Sequence, residues 1–182
     1  MKSKKEIIIE TATSLFAEQG FEKTSVATIC QTANVSKGLV YHHFKSKEEI
    51  LIAVYELATE KMVGMNNSTS KKPAKQIKDL IEIVFTQLVE NKSFFQLNLN
   101  IMFQPSTSKI LETQIKERAN QLYNSVKHIF DQLSKDKSEI LSHVFISEID
   151  GIAFGYLSSF ENYPIEEMKK QLLKKYSNDS KI

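Results

Sequence analysis

The stretch Ser25–Phe44, "SVATICQTANVSKGLVYHHF", reads as two short helices around a tight turn. Ser25 can cap a helix whose inward positions are Val26, Ile29 and Cys30, because a serine hydroxyl accepts an unpaired N–H of the first turn. That helix must end near Ala33-Asn34-Val35. Asn34 is one of the few residues that accepts a left-handed backbone, and Val35 is apolar enough to pin the turn to a core. Ser36 then caps the next helix, with Val40 and Phe44 spaced to face inward. Ser46 and Glu49 form a capping box for the helix after it. Helix, three-residue turn, helix is the helix-turn-helix unit, whose second helix enters the major groove of DNA.

The outward face of that second helix carries Lys37, Leu39, Tyr41, His42 and His43. Gly38 has no side chain, so the backbone near the helix start can approach a phosphate closely, and the helix dipole favours that anion. Lys37 can donate to guanine O6 and N7, and Leu39 offers an apolar contact to a thymine methyl. Tyr41, His42, His43 and Lys47 can donate to phosphates. The two histidines do not imply a metal: neighbours on a helix point roughly 100° apart, and no further ligand is near them.

Charge agrees with this reading. Net charge over the 182 residues is only +2. Between Glu22 and Glu48, however, no carboxylate occurs, whereas Lys23, Lys37, Lys45 and Lys47 do. A local basic patch on a near-neutral chain is a polyanion footprint. The head has no arginine, since Arg118 is the only one in the chain, so no bidentate arginine–guanine contact is available.

Over Leu15–Leu51, "LFAEQGFEKTSVATICQTANVSKGLVYHHFKSKEEIL", the sequence resembles the TetR family of bacterial transcription regulators. The order and spacing of Gly-aromatic, Thr/Ser, Ile, Val-Ser-x-Gly, apolar-Tyr, His-Phe and Ser-Lys-Glu carry the likeness. It implies that Ser25, Ser36, Lys37, Gly38, Leu39, Tyr41, His42, His43 and Lys47 are the DNA-binding residues. Cys30 and Asn34 stand where alanine and glycine are common in the family. As the only cysteine, Cys30 excludes an internal disulfide and reads as a small buried hydrophobe.

Beyond the head, helical periodicity runs almost throughout, and strand-like alternation is nowhere sustained. Helices are predicted near 3–19, 25–32, 36–43, 46–63, 74–91, 93–103, 106–134, 138–160 and 164–176. Pro73, Pro105 and Pro164 each precede an apolar-periodic segment, as a first helical turn tolerates. The polar run 64–75 is the candidate hinge. The expected fold is all-α: a three-helix helix-turn-helix DNA-binding domain over 1–47 joined to a larger helical body over 48–182, about nine helices in all.

The resemblance implies that the body binds a small molecule and pairs two chains. Bulky apolar residues mark a candidate effector pocket: Tyr55, Met62, Phe85, Phe94, Phe95, Met102, Phe103, Tyr123 and Phe145, with Asn98 as a neutral hydrogen-bond partner. Such a lining predicts an uncharged or weakly polar hydrophobic effector. The segment 138–160 is apolar on nearly every side, so a second copy could cover what one chain leaves bare, with Gly151 and Gly155 allowing close approach. The last helix adds a stripe, giving a candidate dimer face of Phe145, Ile149, Ile152, Tyr156, Met168, Leu172 and Tyr176. Two heads on a two-fold axis would read a palindromic operator in double-stranded DNA.

Glu6 and Glu10 interrupt any signal-peptide core, and His143, Glu148 and Asp150 make a membrane span costly, so a cytoplasmic protein is expected. No phosphate loop, HExxH, GxSxG or carboxylate constellation occurs, so neither an enzyme nor a cofactor is expected. Two alternatives stay open: a helical scaffold without DNA binding, which leaves the ordered head pattern to coincidence, and a TetR-like regulator lacking an effector. A ligand-released repressor is the leading expectation.

Overall fold

The computed structural model describes residues 2–63 and 70–176, less the side chains of 58, 61–63 and 93. All regular structure in the described residues is helical. It comprises α1 (Lys4–Gln19), α2 (Val26–Thr32), α3 (Lys37–His43), α4 (Lys47–Val63), α5 (Pro73–Glu90), α6 (Lys92–Phe103), α7 (Pro105–Ile110), α8 (Glu112–Asp131), α9 (Ser138–Phe154) and α10 (Ile165–Tyr176). Part of the predicted hinge, 64–69, lies outside the described residues.

The predicted helix 106–134 is divided at Leu111 into α7 and α8. There the backbone leaves helical geometry (φ −97°, ψ 10°) while the side chain is fully buried. A short polar helix with no strong periodicity gives no warning of such a break. Pro73 and Pro105 occupy first-turn positions of α5 and α7, where the missing proline N–H leaves no bond unmade.

The described chain forms two compact units. Unit 1 comprises Met1–Lys61 and Leu97–Lys116; unit 2 comprises Met62–Gln96 and Glu117–Ile182. In unit 1 a core of Ile8, Phe16, Ile29, Val40, Phe44, Leu51 and Tyr55 includes Leu97, Ile101 and Leu111. Each buried aliphatic or aromatic side chain of this kind contributes about 1.5–3 kcal/mol. The core reaches every helix of the head, so α3 is held from behind while its other face stays outside.

In unit 2, Ile77, Ile81 and Phe85 of α5, Phe130 of α8, Phe145 and Ile152 of α9 and Leu172 and Tyr176 of α10 make a second core. Rings of Phe130, Phe145 and Tyr176 meet edge to face at 5.0–6.1 Å. The Tyr176 hydroxyl donates to the Glu148 carboxylate at 2.7 Å. Desolvation, then that carboxylate, pushes the phenol well above its ordinary range. A Lys169–Glu82 ion pair at 2.5 Å ties α10 to α5.

After Phe154 the chain winds into a π-helical turn, Gly155–Ser159. Gly155 is required there, since a Cβ would sit 2.6 Å from the Tyr163 ring.

Candidate nucleic-acid interface

The α2–α3 turn is built as the residue types dictate. Asn34 takes φ 51°, the one positive φ outside glycine among the described residues. Its N–H donates to Gln31 O at 3.2 Å, and the Val35 N–H donates to Cys30 O at 3.0 Å. These two bonds are the Schellman pair, which satisfies the last carbonyls of α2. Val35 then packs against the unit 1 core. Ser25 Oγ accepts the Thr28 N–H at 3.0 Å, and Ser36 Oγ accepts the Leu39 N–H at 3.1 Å. Both serines are therefore caps.

Helix α3 buries Val40 and Phe44 and turns its other face outward. Lys37, Gly38, Tyr41 and His42 are exposed, while Leu39 and His43 are half-buried. The Lys37 ammonium leans over the Tyr41 ring at 5.8 Å, so the two share one face. The His42 and His43 rings meet edge to face at 5.1 Å. Among the described residues no three His, Cys, Asp or Glu side chains converge on a metal position. Gly38 has ordinary helical φ, and a Cβ on it would meet only Ser36 Oγ at 3.9 Å. Nothing inside the chain requires glycine there.

The capping interactions at α4 differ from expectation by one residue. Ser46 Oγ accepts the Glu49 N–H at 3.3 Å, but the Glu49 carboxylate accepts from the Lys45 N–H at 2.7 Å instead of from Ser46. Hydrogen bonds from its own backbone N–H and from Ser46 hold the Glu48 carboxyl below its usual range. Lys47 is half-buried, donating to Phe21 O at 2.9 Å and to Glu22 O at 3.5 Å. Lys5, which the sequence reading did not single out, puts its ammonium 5.9 Å from the Phe44 ring, at the far end of α3. The lysines of "MKSKK" were the available signal.

The candidate pocket residues are divided between the units. Tyr55 and Asn98 are buried in unit 1, where Met102 and Phe103 are exposed, Phe103 by 68 %. Phe85 and Phe145 belong to the unit 2 core. Phe94 and Phe95 are half-buried in unit 2 with their rings 5.8 Å apart, and Tyr123 stacks on His143 at 4.7 Å. The side chain of Met62 lies outside the described residues.

The candidate dimer residues are placed otherwise than the sequence suggests. Phe145, Ile152, Leu172 and Tyr176 are buried in the chain's own core, so they have no surface left for a partner. Ile149 and Met168 pack against that core, and Tyr156 lies under the Lys92 ammonium at 4.4 Å. Of the two glycines, Gly155 is closed off by Tyr163 and Gly151 is open. The uncovered apolar residues of α9 are instead Ile140 (61 % exposed), Val144 (40 %) and Phe154 (46 %). A helix apolar on all sides carries no period to say which side its own chain covers.

Residues 8–54 match the profile of the bacterial regulatory proteins of the tetR family. The chain is 29 % identical over 161 residues to the uncharacterized HTH-type transcriptional regulator YuxN of Bacillus subtilis, covering 86 % of this chain and 55 % of that one. It is 35 % identical over 115 residues to YerO, another uncharacterized HTH-type transcriptional regulator of Bacillus subtilis, covering 60 % of this chain and 40 % of that one. The chain thus spans about half the length of these relatives or less. In fold it is similar to the transcriptional regulator FadR of Bacillus subtilis in complex with stearoyl-CoA. That likeness has a TM-score of 0.78 at 18 % identity and covers 96 % of this chain and 98 % of that one. By this head and fold the chain belongs to the TetR family.

Proposed function

We propose that the chain is a cytoplasmic, homodimeric, sequence-specific DNA-binding transcription regulator, a repressor released by a small hydrophobic effector. The observation that carries the reading is α3: held from behind by Val40 and Phe44, it turns Lys37, Gly38 and Tyr41 outward together. Lys37 reads a base edge, Leu39 supplies a methyl contact, and Tyr41, His42 and His43 hold phosphates. Selection of bound duplexes from a random pool tests this directly. The expected winner is a palindrome whose binding weakens steeply with salt and loses about 0.9 of its log–log slope for each phosphate contact removed. A protein indifferent to every duplex is a scaffold instead.

The palindrome needs two copies, and α9 supplies a surface for the second. Ile140, Val144, Ser147, Gly151 and Phe154 are all exposed and recur at alternating four- and three-residue steps. Only 28 % of the apolar stretch Ser138–Ser159 is buried within the chain. The pattern is symmetric about Ser147: Ile140 and Phe154 stand equally far to either side. Two antiparallel copies of α9 crossing at Ser147 would set Ile140 of each against Phe154 of the other. The small residues at the crossing allow the backbones to approach. On oxidation Ser147→Cys should cross-link to a dimer that still binds the palindrome; a dimer that resists cross-linking there places the two-fold axis elsewhere.

For the effector, the half-buried rings of Phe94, Phe95 and Tyr123 favour an uncharged or weakly polar hydrophobic molecule. The fold neighbour held with stearoyl-CoA supports the same class. Release requires tighter binding to the form that does not fit the operator, since a ligand that binds both forms equally shifts nothing.

A further inference from the structure

Lys47 stands in the family-like position of a phosphate donor, yet its ammonium is already engaged inside unit 1. Helix α1 ends at Gly20 (φ 83°), and its last turn carries no basic residue of its own. The negative end of the helix dipole and the carbonyls just past it therefore lack a local cation. Lys47, twenty-six positions further on, supplies one: Nζ lies 2.9 Å from Phe21 O and 3.5 Å from Glu22 O. It also stands 4.2 Å over the Phe21 ring, a cation–π contact. Phe21 is itself buried, edge-on to Phe16 at 5.3 Å, and Thr24 Oγ1 ties the same corner back to Gly20 O at 2.8 Å. The corner that receives the ammonium is rigid.

The consequence falls on α3. Only residues 44–46 separate the end of α3 from the start of α4, and Phe44 is anchored in the core. The axis of the recognition helix is thus set at one end by the Schellman turn and at the other by where the first turn of α4 is held. We propose that Lys47 is a positioning residue: capping the end of α1, it fixes the first turn of α4 and so the angle at which α3 is presented. Its contribution to operator binding is geometric and does not come from neutralising a phosphate. This rests on the DNA-binding reading for its function, but the tie itself can be measured without DNA.

The test compares the full-length wild type with Lys47→Met, which keeps the packing over Phe21 and loses the donors, and with Lys47→Arg, which keeps them. Lys37→Ala is the reference for a lost interface charge. For Lys47→Met the expected result is operator affinity down about tenfold with the wild-type salt slope, and faster amide exchange at Phe21–Thr24. Lys47→Arg should restore both, whereas Lys37→Ala should lower the slope by about 0.9 and leave that exchange unchanged. A lowered slope in Lys47→Met overturns the proposal, as does unchanged exchange at the corner. If the wild type binds no duplex, the function reading fails, and the exchange comparison alone then decides whether the tie exists.

Discussion

Gly38 offers a measurement in which stability and function should move in opposite directions. Its φ is ordinary for a helix, and an added Cβ would meet only Ser36 Oγ, at 3.9 Å, which is normal van der Waals contact. Alanine therefore fits the folded chain without strain. Gly→Ala at a compatible helical site stabilises by about 0.4–1 kcal/mol, mainly because the unfolded chain loses freedom. For a chain of this size that corresponds to a rise in melting temperature of roughly 1–4 °C. On the outer side the methyl stands where a phosphate must approach the first turn of α3. Holding the backbone off that phosphate removes a hydrogen bond to a charged group, about 1.5–3 kcal/mol, or about 10- to 150-fold in operator affinity. The assay pairs a circular-dichroism melt with a fluorescence-anisotropy titration of a labelled duplex at fixed salt. A Gly38→Ala protein that melts higher but binds as tightly as wild type refutes the idea that glycine is kept for close approach. One that melts lower refutes the reading of the site as unstrained.

Further outcomes follow from single residues. Asn34 at φ 51° should rank Gly ≥ Asn > Ala in stability, with Asn34→Ala losing about 1 kcal/mol; an alanine variant as stable as wild type in urea contradicts the left-handed turn. Gly155→Ala should lose about 1–3 kcal/mol against the Tyr163 ring, and a double-mutant cycle with Tyr163→Leu should recover part of it; zero coupling means the ring does not meet the new methyl. Desolvation pushes the Asp150 carboxyl up, with the Arg118 guanidinium pulling it partly back. A raised folded pKa stabilises the protonated form, so that contribution is present below the ordinary carboxylate range and is lost as pH rises through the folded value. Asp150→Asn should therefore be more stable than wild type near pH 7 and lose that advantage near pH 3; melts showing the reverse dependence would place the charge in a favourable setting.

The amino-acid sequence by itself determined the head. Ser25, Asn34, Val35, Ser36, Val40 and Phe44 act through contacts a few residues along the chain, so their types and spacing specify caps, turn and inward face before any tertiary contact forms. The same holds for the helices opened by Pro73 and Pro105. Only the tertiary structure decided which sides of α9 and α10 the chain covers, because an all-round apolar helix such as α9 buries whichever face its neighbours reach. That is why Phe145, Leu172 and Tyr176 lie in the core while Ile140, Val144 and Phe154 do not. It also decided that Lys47 answers carbonyls at the end of α1 and that the chain breaks at Leu111. Both depend on residues far apart in sequence meeting in one unit, and no local pattern encodes such a meeting.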